Sequence, residues 1–153
     1  MWVGRLNTQN SELKTQPARC EILSLLLNRP RLLADGKLLG KWGEKRSEKF
    51  LRQKGLRTLT RNFRCKTGEI DLVMVDSDRT IVFVEVKTRA DESFSPSESA
   101  ITSRKKTRMI RTARYFLAAG EIEDRPLRFD VVTVILGQKG PVQIRHYERA
   151  FVP

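Results

Sequence analysis

Gly68-Glu69-Ile70-Asp71-Leu72-Val73-Met74-Val75-Asp76-Ser77-Asp78-Arg79-Thr80-Ile81-Val82-Phe83-Val84-Glu85-Val86-Lys87-Thr88-Arg89 is the stretch on which the fold turns. Two apolar runs flank a polar turn, Asp76 to Arg79. Period-two alternation puts Glu69, Asp71, Val73 and Val75 on one face of the first run, and Ile81, Phe83, Glu85 and Lys87 on one face of the second. The opposite faces, Ile70-Leu72-Met74 and Val82-Val84-Val86, are wholly apolar. Acids and a lysine among the half-buried positions of a strand pair carry a cost, because unpaired charge in a core is expensive. Register decides whether these charges meet. A two-residue loop would set Asp71 against Val84. An odd loop sets Asp71 against Glu85 and Glu69 against Lys87. The turn has no Gly and no Asn-Gly to favour a tight primed turn, so the odd loop is expected.

In that register Asp71 and Glu85 offer hard oxygen ligands side by side, a set that suits Mg²⁺ held by one or two carboxylates, with Mn²⁺ as a substitute. Such an ion can supply what phosphodiester hydrolysis requires: an activated water, neutralised phosphoryl charge and a stabilised leaving alkoxide. Lys87, on the same face, would orient the water or contact the phosphate. Glu44, upstream on a helix, would complete the acid cluster. The competing structural reading is a set of cross-strand ion pairs of the Glu69–Lys87 and Asp71–Arg89 type, worth little where exposed.

The remaining chain frames this hairpin. Leu39 to Lys54 reads as a helix with Trp42, Phe50 and Leu51 near one face and Gly55 at its end. Glu44 falls in its first turns, where the helix dipole favours a carboxylate whatever its role. Ala18 to Asn28 reads as a short helix stopped by Pro30, within an N-terminal extension (residues 1–36) without chemistry of its own. Residues 37–153 form one domain. Leu56 to Phe63 reads as a strand and Arg64 to Gly68 as a basic loop carrying Lys66. Ser95-Pro96-Ser97-Glu98 reads as a helix start. That helix is expected to break near Thr102 or Ser103, run to Ala119 and end at Gly120. Met109, Ile110, Ala113, Phe116 and Leu117 make its apolar face, and Arg104, Lys105, Arg108 and Arg111 its polar one. Leu127 to Leu136 is a strand interrupted by Asp130, read as a structural, hydrogen-bonding acid. Val142 to Ile144 is a short last strand.

Composition narrows the class. A chain of 153 residues with 39% hydrophobic and 31% charged residues has a core and is neither disordered nor membranous. No apolar stretch approaches a bilayer span, and the first residues lack the apolar region of a signal peptide. Cys20 and Cys65, with the single histidine His146, cannot build a zinc site of the usual spacing, and they read as free thiols in the reducing cytoplasm. The net charge of +12 is unevenly spread. Lys41 to Lys66 holds ten basic and two acidic residues, Thr67 to Lys87 two and five, and Thr88 to Tyr115 seven and three. An acidic island between basic blocks suits a polyanion drawn to the flanks and a cation held between them. A nucleic-acid-binding module without chemistry, or an interaction protein acting through residues 1–36, would share parts of this pattern.

The hairpin wording resembles the PD-(D/E)xK nuclease superfamily, and within it the UPF0102 (YraN-like) family, related in fold to archaeal Holliday junction resolvases. Gly43-Glu44, Asn62-Phe63-Arg64, Lys105 and Arg128-Phe129-Asp130-Val131-Val132 extend the resemblance, so that five blocks occur in order across Leu39 to Phe151. The resemblance implies an α/β fold: a restriction-endonuclease-like core with a central mixed sheet flanked by helices in αβββαβ order. It implies metal ligands at Asp71 and Glu85, an ancillary acid at Glu44 and a catalytic lysine at Lys87. Lys105 would contact DNA or assist at the site, with Arg64, Lys66, Arg104 and Arg108 as neighbouring nucleic-acid contacts. The implied activity is a Mg²⁺-dependent endonuclease acting on DNA, including branched or junction DNA, with a homodimer as the typical assembly. Phe94-Ser95-Pro96 departs from the family pattern, where a glycine usually precedes the proline.

Overall fold

The two charged runs pair as an antiparallel hairpin with Val75 opposite Ile81 and Leu72 opposite Val84. Asp76 N–H donates to the Thr80 carbonyl at 3.0 Å, which leaves Ser77, Asp78 and Arg79 as an odd loop. Arg79 takes φ of +72° at its end. Asp78 Oδ1 accepts from Thr80 N–H at 2.9 Å, so side-chain acceptors supply the turn chemistry that a glycine would otherwise bring. The expected odd loop and register are therefore present as far as Leu72 and Val84, and the pairing stops one residue short of Asp71 and Glu85.

The computed structural model describes residues 19–91, 101–122 and 124–153. Its elements are α1 (Arg19–Ala34), α2 (Gly36–Gln53), β1 (Arg57–Cys65), β2 (Gly68–Val75), β3 (Ile81–Arg89), α3 (Ser103–Ala119), β4 (Leu127–Ile135) and β5 (Gln143–Phe151). The strands form one mixed sheet in the order β1-β2-β3-β4-β5, with β3 and β4 parallel and the other pairs antiparallel. The parallel pair requires a crossover, which α3 supplies.

Each sheet face buries its own cluster. Val73, Val75, Ile81, Phe83, Phe129 and Val131 pack with Met109 and Ala113 of α3. Leu72, Met74, Val82, Val84, Val132 and Val134 pack with Phe50 and Leu51 of α2. The expected α/β architecture of a mixed sheet flanked by helices is thus observed, with α1 and β5 added to the αβββαβ order.

Ile70 departs from the expected alternation. It joins the cluster beneath α3 instead of sharing a face with Leu72 and Met74. The pairing of β2 with β3 also ends at Leu72, so beyond that point β2 is held by β1 alone and is freer to rotate. Other boundaries shift as well. Pro30 lies inside α1 rather than ending it. The buried Arg29 beside it donates to the carbonyls of Gly137 (3.4 Å) and Gly140 (2.8 Å), ties that offset the hydrogen bond a proline cannot give. Arg64 and Cys65 continue β1, and β5 runs to Phe151, well past Ile144. The proposed start at Ser95 and the departure at Phe94 fall outside the described residues, whereas α3 starts where the break was expected, capped by Thr102 Oγ1 accepting from Lys105 N–H at 3.3 Å.

Helix α2 is placed at both ends by specific chemistry. Asp35 caps its start, accepting from Lys37 N–H at 2.8 Å and Leu38 N–H at 3.1 Å. Its end is a Schellman turn: Leu56 N–H donates to Leu51 O, Gly55 N–H to Arg52 O, and Gly55 takes φ of +99°. Between them, Gly43 lets the helix approach β3 so closely that an added Cβ would overlap the Thr88 side chain, 2.8 Å from its Cβ. That approach sets the neighbouring Glu44 beside the end of β3. Gly43→Ala should therefore cost about 1–3 kcal/mol by overpacking, despite the better helix propensity of alanine. Urea unfolding checks this, and a variant as stable as the parent would show that the contact is loose.

Candidate active site and basic groove

Asp71 and Glu85 meet where the hairpin ladder ends. Asp71 Oδ2 accepts from Val86 N–H at 2.7 Å, so the carboxylate is aimed across at β3. Glu85 is buried on the α3 face, with its Oε2 2.9 Å from Lys105 Nζ. The contact is an ion pair, and this buried oxygen has no further partner. Burial, with the Glu85 charge adding to it, pushes Asp71 up to about 7, against the Val86 N–H and Lys105. Burial also raises Glu85, against the pull of Lys105. Two carboxylates whose ionisation is hindered in a low-dielectric pocket are costly for folding alone.

Lys87 is half-buried, and burial lowers its pKa against the opposing charge of Glu85. An ammonium held below its ordinary range exchanges protons more readily. Glu44 is half-buried on α2, and its charge reaches Asp71, adding to the upward shift. Among the described residues no three of His, Cys, Asp and Glu gather into a closed metal cage. The donor set is instead two carboxylates with open positions, all hard oxygen. Mg²⁺ and Mn²⁺ suit such a set, because they keep several waters and rely on one or two carboxylates. The orphaned Glu85 Oε2 and the raised Asp71 fit a divalent cation, which would satisfy the first and relieve the second.

Lys105, expected among nucleic-acid contacts, is drawn to Glu85. The other four residues of that expectation come together. Arg64 from the end of β1, Lys66 from the β1–β2 turn, and Arg104 and Arg108 from α3 line one open groove of about 910 Å³ together with Arg111. Glu69 is the one acid on its wall, paired with Arg64 at 3.2 Å. The Glu69–Lys87 pairing of the structural reading therefore gives way to Arg64–Glu69, and Glu69 links groove and site because its charge also raises Glu85.

Two positioning features escaped the sequence reading. Glu48 is buried and takes a two-pronged contact from Arg61, Nε to Oε2 at 2.7 Å and Nη2 to Oε1 at 2.6 Å, with Thr58 Oγ1 donating at 2.7 Å. Bonding to Arg61 is the main reason its pKa is lowered. This bolts α2 to β1 one turn beyond Glu44. The signal was present as two glutamates four apart on one helix, which repel unless one has a partner elsewhere. The second is Thr67, which bridges Cys65 Sγ at 3.0 Å and Thr112 Oγ1 at 3.1 Å and so fastens the groove wall to α3.

Comparison with known proteins finds a family and relatives that cover most of the chain. The model of the family described as "Uncharacterised protein family UPF0102" matches residues 43–134. A UPF0102 protein of Pelobacter propionicus is 41% identical over 118 residues, 76% of this chain and 84% of that protein. One from Pelotomaculum thermopropionicum is 40% identical over 75% of this chain and 96% of its own length. One from Nitrosomonas europaea is 48% identical over 56% and 70% respectively. A solved structure of Pyrococcus furiosus SfsA in complex with Ca²⁺ aligns at 16% identity and a TM-score of 0.27, over 78% of this chain and 63% of that one, too slight a likeness to build on. Among the described residues no helix is long and apolar enough to cross a membrane.

Asp71 makes stability depend on pH. Its folded pKa of about 7 lies above the ordinary 3.8, so its proton stabilises the fold. That contribution is complete below about pH 4 and is lost as pH rises through about 7. In metal-free buffer at about pH 8, Asp71→Asn should melt higher than the parent, by about 2–4 °C for each kcal/mol recovered. The two melting curves should converge towards about pH 4. Parallel Tm–pH profiles would mean that Asp71 titrates as an ordinary surface acid.

Proposed function

This chain belongs to the UPF0102 family, and from the site it carries we propose that it is a Mg²⁺-dependent endonuclease that hydrolyses phosphodiester bonds in DNA. One observation carries the reading: a half-buried and a buried carboxylate on neighbouring strands, the buried one with an oxygen lacking a hydrogen bond, accompany a groove lined by five cationic side chains. A purely structural ion-pair set would need no such groove.

Asp71 and Glu85 would hold the metal, which when bound supplies Lewis-acid stabilisation of phosphoryl charge and a more acidic water. The chain does the rest. The Val86 N–H orients Asp71 and keeps one of its oxygens turned to β3. Lys87, with its lowered pKa, sits two residues beyond Glu85, on the same strand face, to accept or return the proton of the attacking water. Lys105 leaves Glu85 for the phosphate as the substrate arrives, exchanging one anion for another. Glu44 steadies the cationic centre from α2. The groove arginines bind the flanking phosphates and hold the scissile bond in place.

One observation favours a second reading, a nucleic-acid-binding module without chemistry. The Lys105 ammonium lies 2.9 Å from the very oxygen that a metal would need. Incubation with duplex, flap and four-way-junction DNA in Mg²⁺ or Mn²⁺ separates the two. Cleavage should be abolished by Asp71→Asn and Glu85→Ala and should fall about 10²–10⁴-fold in Lys87→Ala, with folding intact. Absence of cleavage on every substrate with both metals, alongside salt-sensitive binding, establishes the binding module instead.

A further inference from the structure

The cationic stripe of α3 that lines the groove continues, past the groove, to an aromatic residue. Arg104, Arg108, Arg111 and Tyr115 stand at spacings of four, three and four residues along α3, so they form one stripe down the helix. All four are exposed. The first three line the groove, and Tyr115 continues the stripe one turn further. The residue is 43% exposed, and its ring centroid lies 6.5 Å from that of Phe63, tilted by 36°. Phe63 in turn packs edge-on against Phe116 at 5.1 Å, so the tyrosine is backed by core aromatics while its outer side is open. From Arg104 to Tyr115 the stripe spans about 16 Å at the helical rise.

A row of cations spaced by helical turns suits a phosphate backbone of either a duplex or a single strand. The ring separates the two. In a blunt duplex the bases are stacked and paired, and an aromatic face beyond the arginines has nothing to cover. An unpaired base gains a stacking partner there. A lone exposed aromatic is ordinary, but this one is in register with three arginines and is seated on a second ring. The groove wall adds Arg64 and Lys66, with Glu69 the sole opposing charge, so its complementarity is to a polyanion.

We propose that this groove takes a single-stranded nucleic-acid arm, with its phosphates along Arg104, Arg108 and Arg111 and an unpaired base stacked on Tyr115. The scissile bond would then lie where the arm reaches Glu69 and the Asp71–Glu85 pair, at or near a junction between paired and unpaired segments. This names the substrate of the site above and rests on that reading for the chemistry alone, since binding can be measured without metal.

The test is fluorescence anisotropy in EDTA, with a labelled single strand and a blunt duplex of the same sequence, on the full chain. Tyr115→Ala should weaken single-strand binding roughly 5- to 150-fold and leave duplex binding within about twofold. Tyr115→Phe, which keeps the ring, should bind as the parent does. Arg108→Ala should weaken both ligands and lower the salt slope of single-strand binding by about 0.7. Equal losses on the two ligands, or no loss in Tyr115→Ala, overturn the proposal. A Tyr115→Ala protein that fails to fold shifts the decision to Tyr115→Leu, which keeps bulk without the ring and must lose single-strand preference. Intact single-strand preference without cleavage would sink the nuclease reading and leave this one standing. Cleavage without single-strand preference would do the reverse.

Discussion

The structure is arranged around two carboxylates that should not be neighbours. The β2–β3 hairpin brings the charges of Asp71 and Glu85 within reach of each other, Glu85 buried and Asp71 half-buried. Burial makes both harder to ionise, and the charge of Glu85 adds to the effect on Asp71. The surrounding elements contain this cost without abolishing it. Helix α3 brings Lys105 to Glu85, the β3 backbone offers Val86 N–H to Asp71, and α2 is pressed against Thr88 through Gly43. A fold selected for stability alone would place valines at both positions, as the rest of the hairpin does.

The contrast with Asp130 shows what a purely structural acid looks like in the same sheet. Asp130 pairs with Val84, one residue from Glu85, and alternation turns it to the α2 face. It is fully buried, yet both oxygens are used: His146 Nε2 at 2.9 Å, Arg128 Nε at 3.0 to 3.1 Å and Arg149 N–H at 3.0 Å. Lys54 Nζ, a donor only, sits 3.0 Å from His146 Nδ1 and so makes that nitrogen the acceptor. The other ring nitrogen, Nε2, faces Asp130. This network fastens β5 and the end of α2 to β4, and it leaves no valence open. Glu85, one residue along in register, keeps an oxygen without a hydrogen bond. The two acids differ in satisfaction more than in depth, and that difference separates a fastening from a site.

The groove and the acid pair are joined through the same helix. One side of α3 buries Met109, Thr112 and Ala113, and that docking fixes where its other residues point. Lys105 is thereby placed over Glu85, and Arg104, Arg108 and Arg111 over the β1–β2 turn. Gly68, at φ of +150° and with Thr112 Oγ1 3.0 Å from where a Cβ would stand, lets that turn come beneath the helix. The electrostatic division along the chain, basic then acidic then basic, becomes a division in space.

Much of this was legible in the sequence. Alternation from Leu72 to Val75 and a turn without glycine determined the hairpin and its odd loop, because strand periodicity and loop parity are local properties. The Schellman glycine Gly55, the apolar face of α3 and its start after Thr102 were local in the same sense. Other features depended on contacts between distant residues, and only the tertiary structure decided them. Pro30 stays within α1 because Arg29 reaches carbonyls more than a hundred residues away. Ile70 changes face because β3 lets go of β2 beyond Leu72. Lys105 goes to Glu85 and Arg111 to the groove because docking sets the rotation of α3, which helical periodicity leaves free. Local alternation determined which charges the hairpin carries; the packing of two helices decided which of them remained unsatisfied, since desolvation and hydrogen bonding are settled by what lies across the sheet.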